Sequence, residues 1–431
     1  MKIAFVTLGC KVNQYETHVM EQQFSQEGFA LVPSDCEADV YVVNSCTVTA
    51  TSDQKTRQTV RHYKRLHPNA VIVLTGCYSQ AFPEAARLLP EADVIAGTHP
   101  RGLVLQLVRR FLETGERQCQ VIPFSREEEF EPMSASRHAE KTRAFVKIED
   151  GCERYCAYCI IPTSRGPVRS KPLEDLKKEV QALSRQGYQE VVLVGINLSC
   201  YGKELSLGLV DAVECVCQVP GIRRVRLGSL EPELLTDEAI KRMADQEKFC
   251  PQFHLSLQSG CSATLKRMNR HYSPEEYSKL VSLLRSRFEN PSITTDIMVG
   301  FPGETEDEFL QSCAFAQAVG FAKAHVFAYS RREGTAAASR PDQIPNREKE
   351  RRSREMIRVT EKTRSAFLQQ QVGRREEVLL ETRKGPFLTG YSKNYTPVYI
   401  NSSDNLEGEV VTALLTQRWE DGCLGVLTKE Q

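Results

Sequence analysis

Three apolar, β-branched runs near the N-terminus, IAFVTLGC, ADVYVVNSC and AVIVLTGC, are separated by segments of helical length around residues 14–28 and 51–66. Strands alternating with helices imply crossover connections and a parallel, doubly wound sheet. A fourth run, ADVIAGT, ends on Gly97 instead of a cysteine. The first three break from apolar residues into Cys10, Cys46 and Cys77. Parallel strands present their C-terminal ends along one edge, where open α/β sheets hold ligands, so these thiols are expected to meet. A single cysteine at a strand end is commonly packing, since cysteine is among the most buried residue types. Three successive strands ending this way point to a shared ligand. Three thiolates without a nearby histidine or fourth cysteine leave the closed tetrahedral zinc site incomplete. An iron–sulfur cluster with one iron open to another ligand fits better.

At 431 residues the chain has room for about three domains. The first is expected at 1–116. The stretch 117–143 holds EEEFEP and SASRHAEKTR, polar and without apolar periodicity, and is expected to be a linker. From 144 to 345 six strand candidates recur: AFVKI, EVVLVG, IRRVRLGS, QFHLSLQ, ITTDIMVG and AKAHVFAYS. Helical patterns such as PLEDLKKEVQALSRQG and PEEYSKLVSLLRSRF lie between them, as in successive β/α units. Six units favour an open, partial (β/α)6 barrel. Residues 346–370, extending to about Gln371, are expected to form one long charged helix. Residues 371–431 change to short strands (EVLLE, PVYIN, GEVVTALL) with turn residues Gly385, Gly390, Asn401 and Gly408, which suggests a small β-barrel. The fold class is therefore α/β with a small all-β domain at its end.

Lys plus Arg equals Asp plus Glu at 56 each, so any nucleic-acid surface must be local. Fifteen cysteines in a large chain read as reduced thiols and metal ligands, which implies a cytoplasmic protein. MKIAFVTLGC faintly resembles a signal ending in a lipidated cysteine. Its apolar core of about six residues is too short, and strand–helix alternation continues after it. No run approaches the ~18 apolar residues of a membrane span, and no membrane partner is expected.

The most specific signal is GCERYCAYCIIPTSRG, directly after the first barrel strand. Cys152, Cys156 and Cys159, spaced C-x3-C-x2-C, wrap a short loop around three corners of a cubane cluster and supply no fourth ligand. Ferredoxin-type runs and zinc ribbons need further cysteines that are absent here. At this point the chain resembles the radical S-adenosylmethionine (SAM) enzymes, in which the open iron is chelated by SAM. With three more cysteines in an N-terminal α/β domain and a C-terminal domain similar to the TRAM β-barrel, the resemblance narrows to the methylthiotransferases and covers essentially the whole chain. GCKVNQYET, NSCTVT and TGCYSQ look most like the branch acting on N6-threonylcarbamoyladenosine (t6A) beside the tRNA anticodon. The isopentenyl-adenosine and ribosomal-protein branches usually carry other residues after the first cysteine.

The resemblance implies two [4Fe–4S] clusters, SAM, a tRNA substrate, an external electron donor and a sulfur source. Cys152, Cys156 and Cys159 would hold the catalytic cluster that reductively cleaves SAM to a 5′-deoxyadenosyl radical. Cys10, Cys46 and Cys77 would hold the cluster that delivers sulfur to C2 of the adenosine, and a second SAM would supply the methyl group. Such chemistry is needed because an aromatic C–H bond is neither acidic nor hydridic. Tyr158 matches the position packing near the adenine of SAM. Gly195 and Asn197 follow the second barrel strand, where the family places a turn near the methionyl end. Glu231, Gln258 and Gly300 also sit at C-terminal strand ends, the catalytic face of a barrel. For each polar one a structural hydrogen-bonding role is an equal alternative, and Gly300 with Gly303 would shape the turn around Pro302.

Two basic helices could hold phosphates: DQKTRQTVRHYKRLHP, with Lys55, Arg57, Arg61, Lys64 and Arg65, and the charged helix with Arg347, Lys349, Arg351, Arg352, Arg354 and Arg358. The alternative is a solvated face. Residues 371–431 carry seven Lys or Arg against nine Asp or Glu, which argues against strong electrostatic RNA binding there. Tyr391, Tyr395 and Trp419 are candidates for base stacking or, more commonly, for core packing. Competing functions are methylthiolation of isopentenyl-adenosine or of a ribosomal protein, and a two-cluster redox protein without substrate chemistry.

Overall fold

The computed structural model describes residues 1–135 and 142–428. Its N-terminal sheet comprises β1 (Lys2–Thr7), β2 (Ala30–Leu31), β3 (Val40–Ser45), β4 (Val71–Gly76), β5 (Val94–Ala96) and β6 (Gln118–Gln120). These six strands are parallel, in the order β2-β1-β3-β4-β5-β6. Helices α1 (Lys11–Gln26) and α5 (Gly102–Thr114) pack Met20, Phe24, Val104 and Val108 on one face. Helices α2 (Ala50–Leu66), α3 (Cys77–Ala81) and α4 (Pro83–Arg87) pack Val60, Tyr78 and Ala86 on the other. Strands covered on both faces must be apolar throughout, and β3 and β4 are buried along their whole length. From β1 the chain runs outward to β2 and then returns to β3 on the opposite side. A topological switch point therefore lies between β1 and β3.

The stretch expected to be a linker differs at its start, because Gln118–Gln120 pairs with β5 as the edge of the sheet. Three residues with polar ends carry no strand periodicity. Further on, Met133 and Ala135 pack on Tyr15 and Val19 of α1, whereas residues 136–141 lie outside the described residues.

The central part contains β7 (Arg143–Lys147), a short antiparallel ribbon of β8 (Glu149–Asp150) and β9 (Arg169–Ser170), then β10 (Glu190–Val194), β11 (Arg224–Leu227), β12 (Ser229–Leu230), β13 (Gln252–Leu255), β14 (Ser292–Val299) and β15 (Lys323–Ala328). Parallel sheets β11-β10-β7 and β12-β13-β14-β15 meet at Gly228, between β11 and β12. This is the expected open barrel. After the short α6 (Ile161–Arg165), its helices are α7 (Leu173–Arg185), α8 (Leu209–Cys217), α9 (Asp237–Ala244), α10 (Ser262–Arg267), α11 (Pro274–Arg287) and α12 (Glu306–Val319). The sequences SPEE and TEDE start α11 and α12 with reciprocal capping boxes, Ser273 with Glu276 and Thr305 with Glu308.

Helix α13 (Asn346–Gln371) leads to β16 (Arg375–Lys384), β17 (Phe387–Ser392), β18 (Pro397–Asn401), β19 (Val410–Trp419) and β20 (Gly422–Leu427), a closed barrel in the order β16-β17-β18-β20-β19. Gly390, expected in a turn, lies inside β17. A Cβ there would sit 2.0 Å from the Leu379 carbonyl oxygen, beside the pairing irregularity of β16. Tyr391 and Tyr395 stack at 4.4 Å, and Arg143 and Arg226 lie over the Tyr395 ring. Buried Glu190 pairs with Arg224 and Arg226 at 3.0 Å each. Burial would raise its carboxyl, but the two guanidiniums outweigh that and lower it to about 2. This Arg–Tyr–Glu clasp fixes the small barrel on the first strands of the large one.

Much of the positive charge expected on α13 is already neutralised. Arg351 pairs with Glu306, Glu348 and Glu355, Arg352 with Glu304 and Glu348, and Lys349 is buried. Among the described residues no helix is long and apolar enough to cross a membrane.

Candidate functional site

Cys10 caps α1 after β1, Cys46 directly follows β3, and Cys77 opens α3 after β4, so the switch point and its neighbouring strand carry all three. The Asn13 side chain ties these ends together. Its amide donates to the carbonyls of Leu8 (2.8 Å) and Ser45 (2.9 Å), while its Oδ1 lies 3.7 Å from Cys10 Sγ and 4.0 Å from Cys77 Sγ. Gly9, at φ +111°, lets β1 approach so closely that an added Cβ would stand 2.8 Å from Cys46 Cβ and 3.2 Å from Asn13 Nδ2. Gly9→Ala is therefore expected to cost about 1–3 kcal/mol in local strain. The expectation that the N-terminal triad holds a cluster is checked on this variant by iron analysis beside a SAM-cleavage assay, with iron lost and cleavage retained.

The second triad occupies the loop between β8 and α6. Cys152 N–H donates to the Gly166 carbonyl (3.0 Å), Ala157 N–H to that of Met268 (2.9 Å), and Ala337 N–H to that of Ala157 (2.7 Å). Three separate segments thus hold a loop that has little regular structure of its own. Arg270 Nη1 lies 3.3 Å from Cys156 Sγ, and Asn197 Nδ2 lies 3.8 Å from Cys152 Sγ. Burial pushes the Cys152 and Cys159 thiols up to about 12 and that of Cys77 to about 11. Burial thus favours the neutral thiols, and a bound metal centre would supply positive charge that favours the thiolates.

Tyr158 and Gln258 line a cavity of about 210 Å³ together with Cys159, Asp296, Met298 and Phe327. Gln258 sits at φ +64°, held by backbone bonds to Asp296 and Met298 on β14. Asn197 N–H donates to Glu149 (2.7 Å), and a Cβ on Gly195 would meet the same carboxylate at 2.5 Å. Two further residues at strand ends have partners within the chain. Glu231 forms an ion pair with Arg270. Gly300, at φ +69°, donates its N–H to Glu304 and passes under Lys349, whose Cγ would be 2.5 Å from an added Cβ.

Sequence reasoning missed Arg165, six residues after Cys159. This fully buried side chain crosses to the other triad, with Nε 3.3 Å from Cys77 Sγ, Nη2 2.7 Å from Asn13 Oδ1 and Nη1 2.5 Å from Glu16 Oε1. Glu16 is also paired with Arg101 and Lys147, and Asp150 with Lys147, Arg165 and Arg169. Of these four cations, Arg165 is the one in contact with Cys77.

The lumen of the open barrel, about 600 Å³, is walled by Gly9–Val12 of the N-terminal domain, Val194, Gly195, Gly228, inward residues of β13–β15, and Tyr395 of the small barrel. Cys10 is exposed there. Asp296 and Phe327 line both this lumen and the smaller cavity containing Cys159, so the two triads face adjoining spaces.

The uncharacterized protein family UPF0004 matches residues 2–97, and the radical SAM superfamily matches residues 146–316. A Bacillus subtilis protein named threonylcarbamoyladenosine tRNA methylthiotransferase MtaB is 34% identical, over 95% of this chain and 92% of its own. Its Aquifex aeolicus namesake is 36% identical over 88% and 93%. The chain belongs to the radical SAM methylthiotransferases. An Oceanobacillus iheyensis relative named tRNA-2-methylthio-N(6)-dimethylallyladenosine synthase is 34% identical over 96% and 82%. Among solved structures, the radical SAM methyltransferase TsrM from Kitasatospora setae shares the fold at 14% identity, with a TM-score of 0.59 over 78% of this chain and 77% of that one.

This methylthiotransferase uses SAM and two [4Fe–4S] clusters, and its residues fit them. Beside Cys152, Asn197 Oδ1 and Glu149 Oε1 are buried without hydrogen-bond partners. Next to Cys77, the Arg165 guanidinium suits an anionic set of thiolates.

Proposed function

We propose that this enzyme methylthiolates C2 of t6A next to the tRNA anticodon. The observation that carries this reading is the adjoining pair of cavities. An adenine inserted into the lumen would have Cys10 on one side and, across Asp296 and Phe327, the space of Tyr158 and Cys159 on the other. The relatives named for t6A support the choice of substrate.

Cys152, Cys156 and Cys159 would hold the cluster that, with SAM, supplies radical chemistry, and Cys10, Cys46 and Cys77 the cluster from which sulfur is delivered. Tyr158 and Gln258 would border the SAM site, with Asn197 and Gly195 at its neighbouring turn. Glu231 would act through Arg270, which positions Cys156, and Gly300 through the turn it forms. Asn13 and Arg165 hold the sulfur-side thiols at a fixed place relative to the barrel, a requirement for two reactive centres to meet one ring carbon. The protein would work in the cytoplasm with an external reductant and a sulfur source.

RNA phosphates would meet α2 through exposed Lys55 and Arg65, because Lys64 is paired with Asp93, Arg61 with Glu91, and Arg57 donates to the Tyr78 hydroxyl. The test is mass spectrometry of tRNA nucleosides from a host lacking the gene, with and without complementation. The 2-methylthio derivative of t6A is expected only on complementation. Its absence, with thiolated isopentenyl-adenosine in its place, would overturn the substrate assignment.

A further inference from the structure

Strand alternation places Gln252 and His254 of β13, Thr294 and Asp296 of β14, and Lys323, His325 and Phe327 of β15 on the lumen wall. Pairing sets Thr294 opposite Lys323 and Asp296 opposite His325. This is a polar interior. His254 contacts Thr294 through Nδ1 (3.0 Å) and Asp296 through Nε2 (3.3 Å), so the acidic group already has a partner. Burial lowers the His325 pKa, favouring the neutral ring. The charges left uncommitted are ammonium groups. Lys11 and Lys323 are both exposed, both line the lumen, and neither has a carboxylate partner among the described residues. Lys11 lies over the Phe145 ring, at 5.7 Å.

We propose that Lys323, with Lys11, binds the carboxylate of the N6-threonylcarbamoyl group and so makes the lumen selective for an anionic adenosine substituent. This rests on the t6A reading and deepens it. C2 and N6 both lie on the Watson–Crick edge of an adenine, either side of N1, with exit bonds that diverge by about 120°. A ring whose C2 faces the level of Asp296 and Phe327 can therefore direct its N6 substituent along the lumen wall away from that level. Lys323 lies four residues before Phe327 on β15, about 13 Å along the strand. From C2 to the substituent's carboxylate is on the order of 10 Å by ordinary bond lengths, and the flexible lysine stem covers the remainder. Gln252, Thr294 and His254 beside that path offer partners for the urea and hydroxyl groups. An isopentenyl group would leave these side chains dehydrated and unpaired, which is unfavourable.

An RNA phosphate is the other anion that two lysines could hold, and the experiment separates the two. Anticodon stem–loops carrying t6A, its carboxamide analogue or plain adenosine are titrated against the cluster-loaded enzyme with SAM, as wild type, Lys323→Met, Lys323→Arg and Lys11→Met. Wild type should bind the acid tighter than the amide by about tenfold or more. Lys323→Met should abolish that preference while binding the amide like wild type, and Lys323→Arg should keep most of it. Lys11→Met, at full iron content, should reduce it. Equal weakening of acid and amide by Lys323→Met would identify a phosphate contact and overturn the proposal. An intact preference in Lys323→Met would overturn it too. If wild type binds t6A and plain adenosine equally well, the substrate reading itself fails.

Discussion

Cys10→Ala and Cys156→Ala are expected to lose the methylthio product equally, down to the background of the uncomplemented host, yet for different reasons. Cys156 is buried in the loop that also carries Tyr158 and Cys159, and its Sγ receives Arg270. Without it SAM cleavage should stop. Cys10 opens on the lumen, on a different domain and a different loop, so its removal should leave SAM cleavage running. Each variant should lose about half of the bound iron, the share of one cluster of two. The decisive measurement pairs iron content with 5′-deoxyadenosine formation in the same preparations. Cleavage lost in Cys10→Ala would mean that the two sites are not independent. Product formed by Cys10→Ala would remove the N-terminal triad from the chemistry.

The cysteines were legible because strand period and chain order suffice to place them. A parallel strand that ends on a thiol must present it at the sheet edge, and three such strands place three thiols together. The open barrel was legible for a similar reason, since β10 is a bounded apolar run and β13 and β14 alternate apolar with polar residues, with amphipathic helices between the strands. Strands β6, β17 and β20 were not. Gln118–Gln120 has a polar surface pattern, and Gly390 looks like a turn residue where the structure uses it for close backbone approach. The partners of Glu231 and Gly300 were hidden because a carboxylate or glycine at a strand end carries no sign of what it will bind. Arg165 illustrates the deeper limit. Its partners Cys77 and Glu16 lie 88 and 149 residues away, and a charged residue in the polar loop IIPTSRG would by default face water. Only the packing of α3 and α1 against α6, which the chain forms there, turns it into a buried link between the two triads.

That link should be among the most sensitive places in the molecule. Burial alone would raise the Glu16 carboxyl, but Arg101, Arg165 and Lys147 outweigh it and lower the pKa from 4.5 to about 2. A carboxyl depressed this way contributes about 3 kcal/mol of stability, fully present above the unfolded value and lost only as pH falls through 4.5 towards 2. Glu16→Gln should therefore cost about 3–5 kcal/mol in urea unfolding, because it leaves buried guanidinium and ammonium groups short of a counter-charge. The cost should be the same at pH 5.5 and pH 8. A penalty that vanished at pH 5.5 would show the carboxyl already protonated there. Arg165→Lys asks a different question of the same group. The ammonium keeps the charge but cannot reach Cys77, Asn13 and Glu16 at once, as the guanidinium fork does. The variant should fold, bind its iron and cleave SAM while methylthio product falls about 10²-fold, the consequence of a small misplacement between reacting centres. Product and cleavage falling together would make Arg165 a residue of general stability and not one that aligns the two sites.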